Sequence, residues 1–188
     1  MRVLLFDIDG TLIRSGGAGK AAMEAGLKSA FGVKEIRDRV AYSGRTDPGI
    51  VRELLALHDI EPTDANAKRL NSAYLSNLPT MLTRMRGSVL PGIEEALRRE
   101  RREAVVGLLT GNIRAGAEIK LRHFGLWDYF PFGGFADELT DRRDQIARPE
   151  KRVVLVQQRS KDANRNTPVE SSFCEGDGIL YPALWFTD

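Results

Sequence analysis

Asp7 and Asp9 stand at the end of the apolar run Val3–Phe6, with one residue between them and Gly10-Thr11 after them. Side chains alternate along a strand, so acids at i and i+2 face one side. Two carboxylates that close repel each other unless a cation or a proton lies between them. Ionised carboxylates are also rarely buried alone. A strand ending this way predicts a site rather than a piece of core. Such a carboxylate can attack phosphorus, giving an aspartyl-phosphate. Its neighbour can protonate the leaving oxygen and then activate water. Oxygen ligands of this kind suit Mg²⁺, which would neutralise both the pair and an incoming phosphate. A second apolar run, Ala104–Leu109, ends in Thr110-Gly111-Asn112. Thr110, with the Gly111 and Asn112 backbone amides at a helix N-terminus, can hold phosphate oxygens. Each piece has a plainer alternative: a metal site of another kind for the aspartates, a mere helix cap for Thr110–Asn112.

The elements that must position these groups follow from hydrophobic spacing. Residues 3–9 and 104–109 read as buried strands, and 132–136 and 152–156 as two more. Met23, Leu27 and Ala30 recur at i, i+4, i+7, behind the flexible stretch Ser15–Lys20. Asp47-Pro48 predicts a helix start with Asp47 as the N-cap residue, and Ile50, Leu54, Leu55 and Leu57 continue it. A third helical stretch runs from about Thr63 to Arg84, with a possible interruption at Pro79. No strand pattern stands out between 16 and 86, which predicts an all-helical block. Ile93, Ala96 and Leu97 mark a further helix. Ile113, Ala117, Leu121 and Phe124 mark another, closed by Gly125 as its C′ residue. Strands alternating with helices imply a parallel sheet, whose ligands bind at the carboxyl ends of the strands. Asp7, Asp9 and Thr110 all fall at that edge.

Composition narrows the classes of function. The chain has 188 residues, with 28 lysines and arginines against 26 acids. Nearly balanced charge gives no electrostatic case for nucleic acid. The basic run Arg98–Arg102 alternates with glutamate at a helix end, where cations suit the dipole. The single cysteine, Cys174, fits a reducing cytoplasm. The apolar stretches are too short for a signal peptide or a membrane span.

The order of these features is more specific than any one of them. An apolar strand ends in Asp7-Ile8-Asp9-Gly10-Thr11; a helical block follows, then Leu90-Pro91-Gly92, then a strand ending in Thr110-Gly111-Asn112. This order closely resembles the haloacid dehalogenase superfamily of phosphohydrolases, and in particular its phosphoglycolate phosphatase-like members. The resemblance implies an α/β fold: a Rossmann-like parallel-sheet core over 1–15 and 88–147, with an all-helical mobile cap inserted over 16–87. It implies Asp7 as nucleophile and Asp9 as general acid/base. Mg²⁺ would be held by the Asp7 carboxylate and the Asp9 backbone carbonyl, and the transferring phosphoryl group by Thr110. The second aspartate, lacking in dehalogenases of this fold, favours phosphoryl chemistry on a small phosphorylated metabolite. The third family motif supplies a cation to the phosphate. Arg142 stands nearest its place and Lys120, on the preceding helix, is the second candidate; a surface charge is the plain alternative for each.

The fourth motif, a strand followed by Gly-Asp and a further acid that completes the metal site, does not match. Gln157-Gln158 follows the strand at 152–156, and the candidates for the missing ligand are Asp162 and Asp177. From about 148 to 188 the chain is polar and without period, which predicts a disordered or degenerate tail, out of frame with a once-complete core. Two functions therefore stand: a Mg²⁺-dependent phosphatase, and an inactive homologue that lacks the metal-completing acids. Gly16–Lys20 superficially suggests a nucleotide phosphate loop, but Arg14 replaces the first glycine and Ala21 the hydroxyl residue, so a hinge is expected. The loop Gly44–Asp47 can reach the site, with Arg45 as a substrate contact. His58 and His123 lie at helix ends without metal-ligand spacing, and Trp127–Phe130 is expected to pack a helix end on the sheet.

Overall fold

The computed structural model describes residues 2–37, 40–137 and the backbone of 152–156. The first apolar run forms β1 (Arg2–Phe6), which lies between β4 (Ala104–Leu109) and β6 (Arg152–Val156). All three run parallel, and Leu4 stands opposite Val106 on one side and Val154 on the other. The expected strand at 132–136 contracts to β5 (Gly133–Gly134), beyond β4, so the sheet order is β5-β4-β1-β6. β1, with a parallel neighbour on each side, is buried from Val3 to Phe6, which is why it reads as a continuous apolar run.

Among the described residues two helices cover one face of the sheet. α4 (Ile93–Glu100) and α5 (Arg114–His123) turn Ile93, Leu97, Ala117 and Leu121 onto Leu4, Phe6, Val106 and Leu108 in one apolar cluster. Gly125 follows α5 in the left-handed region, at φ 71°, as the expected C′ residue. A short 3₁₀ turn over Trp127–Tyr129 then brings Phe130 to 5.9 Å, ring to ring, from Phe6.

The helical block consists of α1 (Ala18–Phe31), α2 (Asp47–Leu57) and α3 (Asp64–Arg84). Its own core gathers Met23 and Leu27 of α1, Leu54 and Leu55 of α2, and Leu70, Tyr74, Leu78 and Leu82 of α3. Pro79 does not interrupt α3. A proline inside a helix costs about 3 kcal/mol, but the i, i+4 row Leu70-Tyr74-Leu78-Leu82 is buried along its length and holds the helix through it. The expected N-cap of α2 is also corrected. Thr46 holds that position in extended conformation, and its Oγ1 accepts from the Gly49 N–H at 3.4 Å. The Asp47 carboxylate is left for another partner. The block joins the core through a two-stranded antiparallel ribbon that sequence periodicity did not show: β2 (Ile13–Arg14) against β3 (Ser88–Val89).

Candidate active site

β1 ends at Phe6, and alternation continues just past it. Ile8 is fully buried, while Asp7 and Asp9 on either side of it line a cavity of about 320 Å³ between the sheet edge and the helical block. The adjacent strand β4 delivers Thr110, Gly111 and Asn112 to the same edge, because β1 and β4 are parallel and in register. Lys120, one turn beyond Gly116 on the buried face of α5, closes the group.

These side chains form a compact polar triangle. Lys120 Nζ donates to Asp9 Oδ2 at 2.6 Å and to Asn112 Oδ1 at 2.6 Å. Asn112 Nδ2 donates to Asp9 Oδ2 at 2.9 Å and to Thr110 Oγ1 at 2.8 Å. Lys120 is only 5 % exposed, whereas the Asp9 side chain is 41 % exposed toward the cavity. Burial alone would raise the Asp9 carboxyl. The charge of Lys120, with hydrogen bonds from Lys120, Asn112 and Ser15, outweighs it and holds Asp9 below its ordinary range. Burial would likewise lower the Lys120 ammonium, but Asp9, Tyr74 and Asp47 hold it above its usual value.

The other expected site residues fall as follows. Thr110 lies beneath the cavity wall, 2 % exposed, with its hydroxyl accepting from the Asn112 backbone at 3.2 Å. Gly111 is on the wall. Arg45 also lines the cavity, in an ion pair with Glu53 of α2. Arg142, Asp162 and Asp177 lie outside the described residues. Gly19 and Lys20 belong to the first turn of α1, with Lys20 3.8 Å from Glu24 and over the Tyr42 ring, so no phosphate loop forms there. His58 ends α2, its Nδ1 2.8 Å from the Leu54 carbonyl, and His123 stacks edgewise on Phe124. Neither approaches the site.

Asp47 belongs to the site although its sequence context suggests only a cap. Its Oδ2 accepts from the Ile113 N–H at 2.9 Å, and its own N–H donates to the Gly111 carbonyl at 2.7 Å. It is 7 % exposed, and burial pushes its carboxyl up to about 6 against the pull of Lys120 and the Ile113 N–H. Asp9 and Asp137 add to the rise. Gly111 meets the same segment so closely that a β-carbon there would lie 2.6 Å from the Arg45 carbonyl oxygen. Tyr74, also on the cavity wall, completes this side, its hydroxyl buried without a hydrogen-bond partner among the described residues. No local spacing signals the Asp47 contact, because its partner Ile113 is 66 residues away along the chain.

The resemblance would have a divalent cation held by the Asp7 carboxylate and the Asp9 backbone carbonyl, and both residues line the cavity. The Asp9 carboxylate is taken up by Lys120 and Asn112. Among the described residues no group of three His, Cys, Asp or Glu gathers to hold a metal on its own. A pair of hard oxygen donors still fits Mg²⁺, which keeps several waters and binds through one or two carboxylates plus a substrate phosphate. No described helix is long and apolar enough to cross a membrane.

Solved structures share this arrangement of elements. CbbY from Rhodobacter sphaeroides in complex with phosphate is 17 % identical, with 82 % of this chain and 77 % of that one covered and a TM-score of 0.64. A mutant CbbY from the same organism in complex with xylulose-(1,5)bisphosphate is 16 % identical over 82 % and 77 % of the two chains, at 0.60. A predicted phosphoglycolate phosphatase from Haemophilus somnus is 13 % identical over 83 % and 77 %, at 0.55. At such identities the likeness is one of fold. No curated protein sequence matches the chain significantly. The family model described as haloacid dehalogenase-like hydrolase matches residues 4–180, running beyond the point near 148 where the motifs become unrecognisable. With its parallel sheet, its paired aspartates at the end of β1 and that match over nearly its whole length, the chain belongs to the haloacid dehalogenase-like hydrolases.

Proposed function

We propose that this chain is a Mg²⁺-dependent phosphatase of a small phosphorylated metabolite, working through an aspartyl-phosphate on Asp7 in the cytoplasm. The observation that carries the reading is the pairing of Asp7 and Asp9 on one cavity wall with the buried cation Lys120 beside them. An Asp7 carboxylate oxygen attacks phosphorus, and the bond from phosphorus to the leaving oxygen breaks. That oxygen takes a proton from Asp9, which then accepts one from the water that opens the acyl phosphate. Asp7 and the Asp9 carbonyl would hold Mg²⁺, which would supply charge neutralisation as the carboxylate meets the phosphate.

The triangle at Asp9 suits this role in a specific way. With Lys120 engaged, Asp9 is ionised and cannot act as an acid. A phosphoryl group arriving at the wall competes for the same ammonium. Asp9 then shares the charge that holds it down while the bound substrate covers its exposed side, and its carboxyl rises toward the range a general acid needs. Lys120 is placed to serve as the phosphate cation, a role for which Arg142, outside the described residues, is the other candidate. The Thr110 hydroxyl accepts from Asn112 and keeps its own proton to donate to a phosphate oxygen. Gly111 and Asn112 shape the wall around it, and Arg45 faces the non-reacting end of the substrate. A cavity of about 320 Å³ is of the size that takes a small metabolite. The neighbours solved with phosphate and with xylulose-(1,5)bisphosphate support a ligand of this class.

The shortage of acids among the described residues favours a second reading, an inactive homologue whose metal site is incomplete. Hydrolysis of a generic aryl phosphate, with and without Mg²⁺, separates the two. The phosphatase reading expects turnover that needs Mg²⁺ and falls by at least about 10³-fold in Asp7→Asn. Equal rates for the two folded proteins would establish the inactive one.

A further inference from the structure

The carboxylate of Asp47 is buried, titratable and unused by the chemistry above. It stands on α2 of the helical block, yet its hydrogen bond goes to Ile113, the N-cap residue of α5 in the core. Ile113 carries no oxygen in its side chain, and no side-chain cap bond is formed from it. The first N–H groups of any helix lack partners within the helix. Here they are met from elsewhere: the Ile113 N–H by Asp47, and the Arg114 N–H by Asp137 Oδ1 at 2.9 Å. Asp47 also binds the other end of the same turn, through its N–H on the Gly111 carbonyl at 2.7 Å. One residue of the helical block therefore brackets the loop that carries Thr110, Gly111 and Asn112. The space at Gly111 is too small for a side chain because the backbone of Arg45 lies against it.

We propose that Asp47 is a positioning residue: from the helical block it caps α5 in trans and so sets the shape of the 110–112 loop, which takes its working form only while the block is docked on the core. Docking and assembly of the phosphate-holding loop then become one event. A block swung away from the core loses the acceptor for Ile113 and the donor for Gly111 together, and the loop relaxes. Substrate gains access to a site that is not yet built, and closure builds it. This coupling concerns how the loop is held, and it stands whether or not the chain turns substrate over.

Amide hydrogen exchange, read residue by residue on the full chain, tests it without relying on activity. In Asp47→Ala the Ile113 amide is expected to exchange about tenfold faster, the loss that follows removal of one charge-assisted hydrogen bond. The Asn112 amide, bonded to Thr110 Oγ1, is expected to follow it as the loop relaxes. The amide of Leu108 inside β4 should be unchanged. Asp47→Asn keeps an acceptor oxygen in place and should hold both amides within about threefold of the native rate. Unchanged exchange at Ile113 in a folded Asp47→Ala variant would overturn the contact. Faster exchange at Ile113 with Asn112 unmoved would overturn the positioning of the loop. If the alanine variant does not fold, the asparagine variant decides alone, because loss of protection there would contradict a role resting on the acceptor.

Discussion

The end of β1 and the start of α2 each place an aspartate on the same cavity, and they treat its charge in opposite ways. Asp9 is half-exposed and faces a buried ammonium, so its carboxyl is held down. Asp47 is more deeply buried and receives a single backbone N–H, with Lys120 acting from farther off, so its carboxyl is pushed up to about 6. Both sites lie in the field of the same lysine. What separates them is direct contact: a charge at hydrogen-bond distance overcomes desolvation, and the same charge a few ångströms away does not. The core side of the cavity is thus electrostatically satisfied, and the side formed by the helical block carries a charge under strain.

Substitutions can test that contrast. The largest effect is expected from Asp9→Ala, which strands the Lys120 ammonium in a site 5 % exposed. Loss of one partner of a buried pair costs about 3–5 kcal/mol, reduced here to about 2–3 kcal/mol because Asp9 itself reaches solvent. Lys120→Met removes the other partner, and Asp9 can rehydrate through the cavity, so about 1 kcal/mol is expected. Denaturant titration of both variants checks the asymmetry; equal losses would mean that the pair is not buried on one side only. The sign with pH follows from the depressed Asp9 carboxyl. Its stabilisation is full above the ordinary aspartate value of 3.8 and disappears as pH falls through the lower folded value.

Asp47→Asn is expected to act in the opposite direction. A folded-state value near 6 against 3.8 means that the native state holds the proton more tightly, so the carboxyl favours folding at low pH. That contribution is fully present below 3.8 and is lost as pH rises through 6. At pH 7.5 the neutral amide should therefore be more stable than the native acid, by about 1–3 kcal/mol. Thermal unfolding at pH 7.5 and pH 3.5 measures this, and a gain that persists at the lower pH would refute burial as the cause. The smallest effect should come from Arg45→Ala. It removes an exposed pair with Glu53 and one wall of the cavity. Stability should change by less than about 0.5 kcal/mol, while KM for a small phosphorylated metabolite rises and kcat stays near native.

The sequence disclosed what depends on neighbours and concealed what depends on distance. β1 and β4 are legible because apolar runs of that length, ended by polar residues, have few other uses; the strand expected at 152–156 is present as β6, and its pairing beside β1, inside the stretch expected to be a degenerate tail, depends on distant residues. Asp7, Asp9, Thr110 and Asn112 are legible as candidates because they sit at strand ends. Lys120 was ambiguous, since a lysine in a polar helix reads as a surface charge until its partner 111 residues away is placed. Asp47 reads locally as the N-cap of its own helix, because nothing nearby distinguishes an aspartate that caps the next residues from one that caps a helix 66 positions on. The ribbon of β2 and β3 has two residues on each side, too few for any period to show.

That ribbon has a consequence for how such molecules can vary. The chain leaves the core at Ile13–Arg14 and returns at Ser88–Val89 with the two segments zipped together. Closing a loop costs little more as it lengthens, so whatever lies between fixed ends can grow or shrink at almost no entropic expense to the sheet. The stalk itself has no such freedom. At Gly16 the backbone is left-handed, and a single methyl group would lie 2.3 Å from the Met85 carbonyl. The excursion is therefore free in length and fixed at its neck, like a pouch whose drawstring admits no thicker thread.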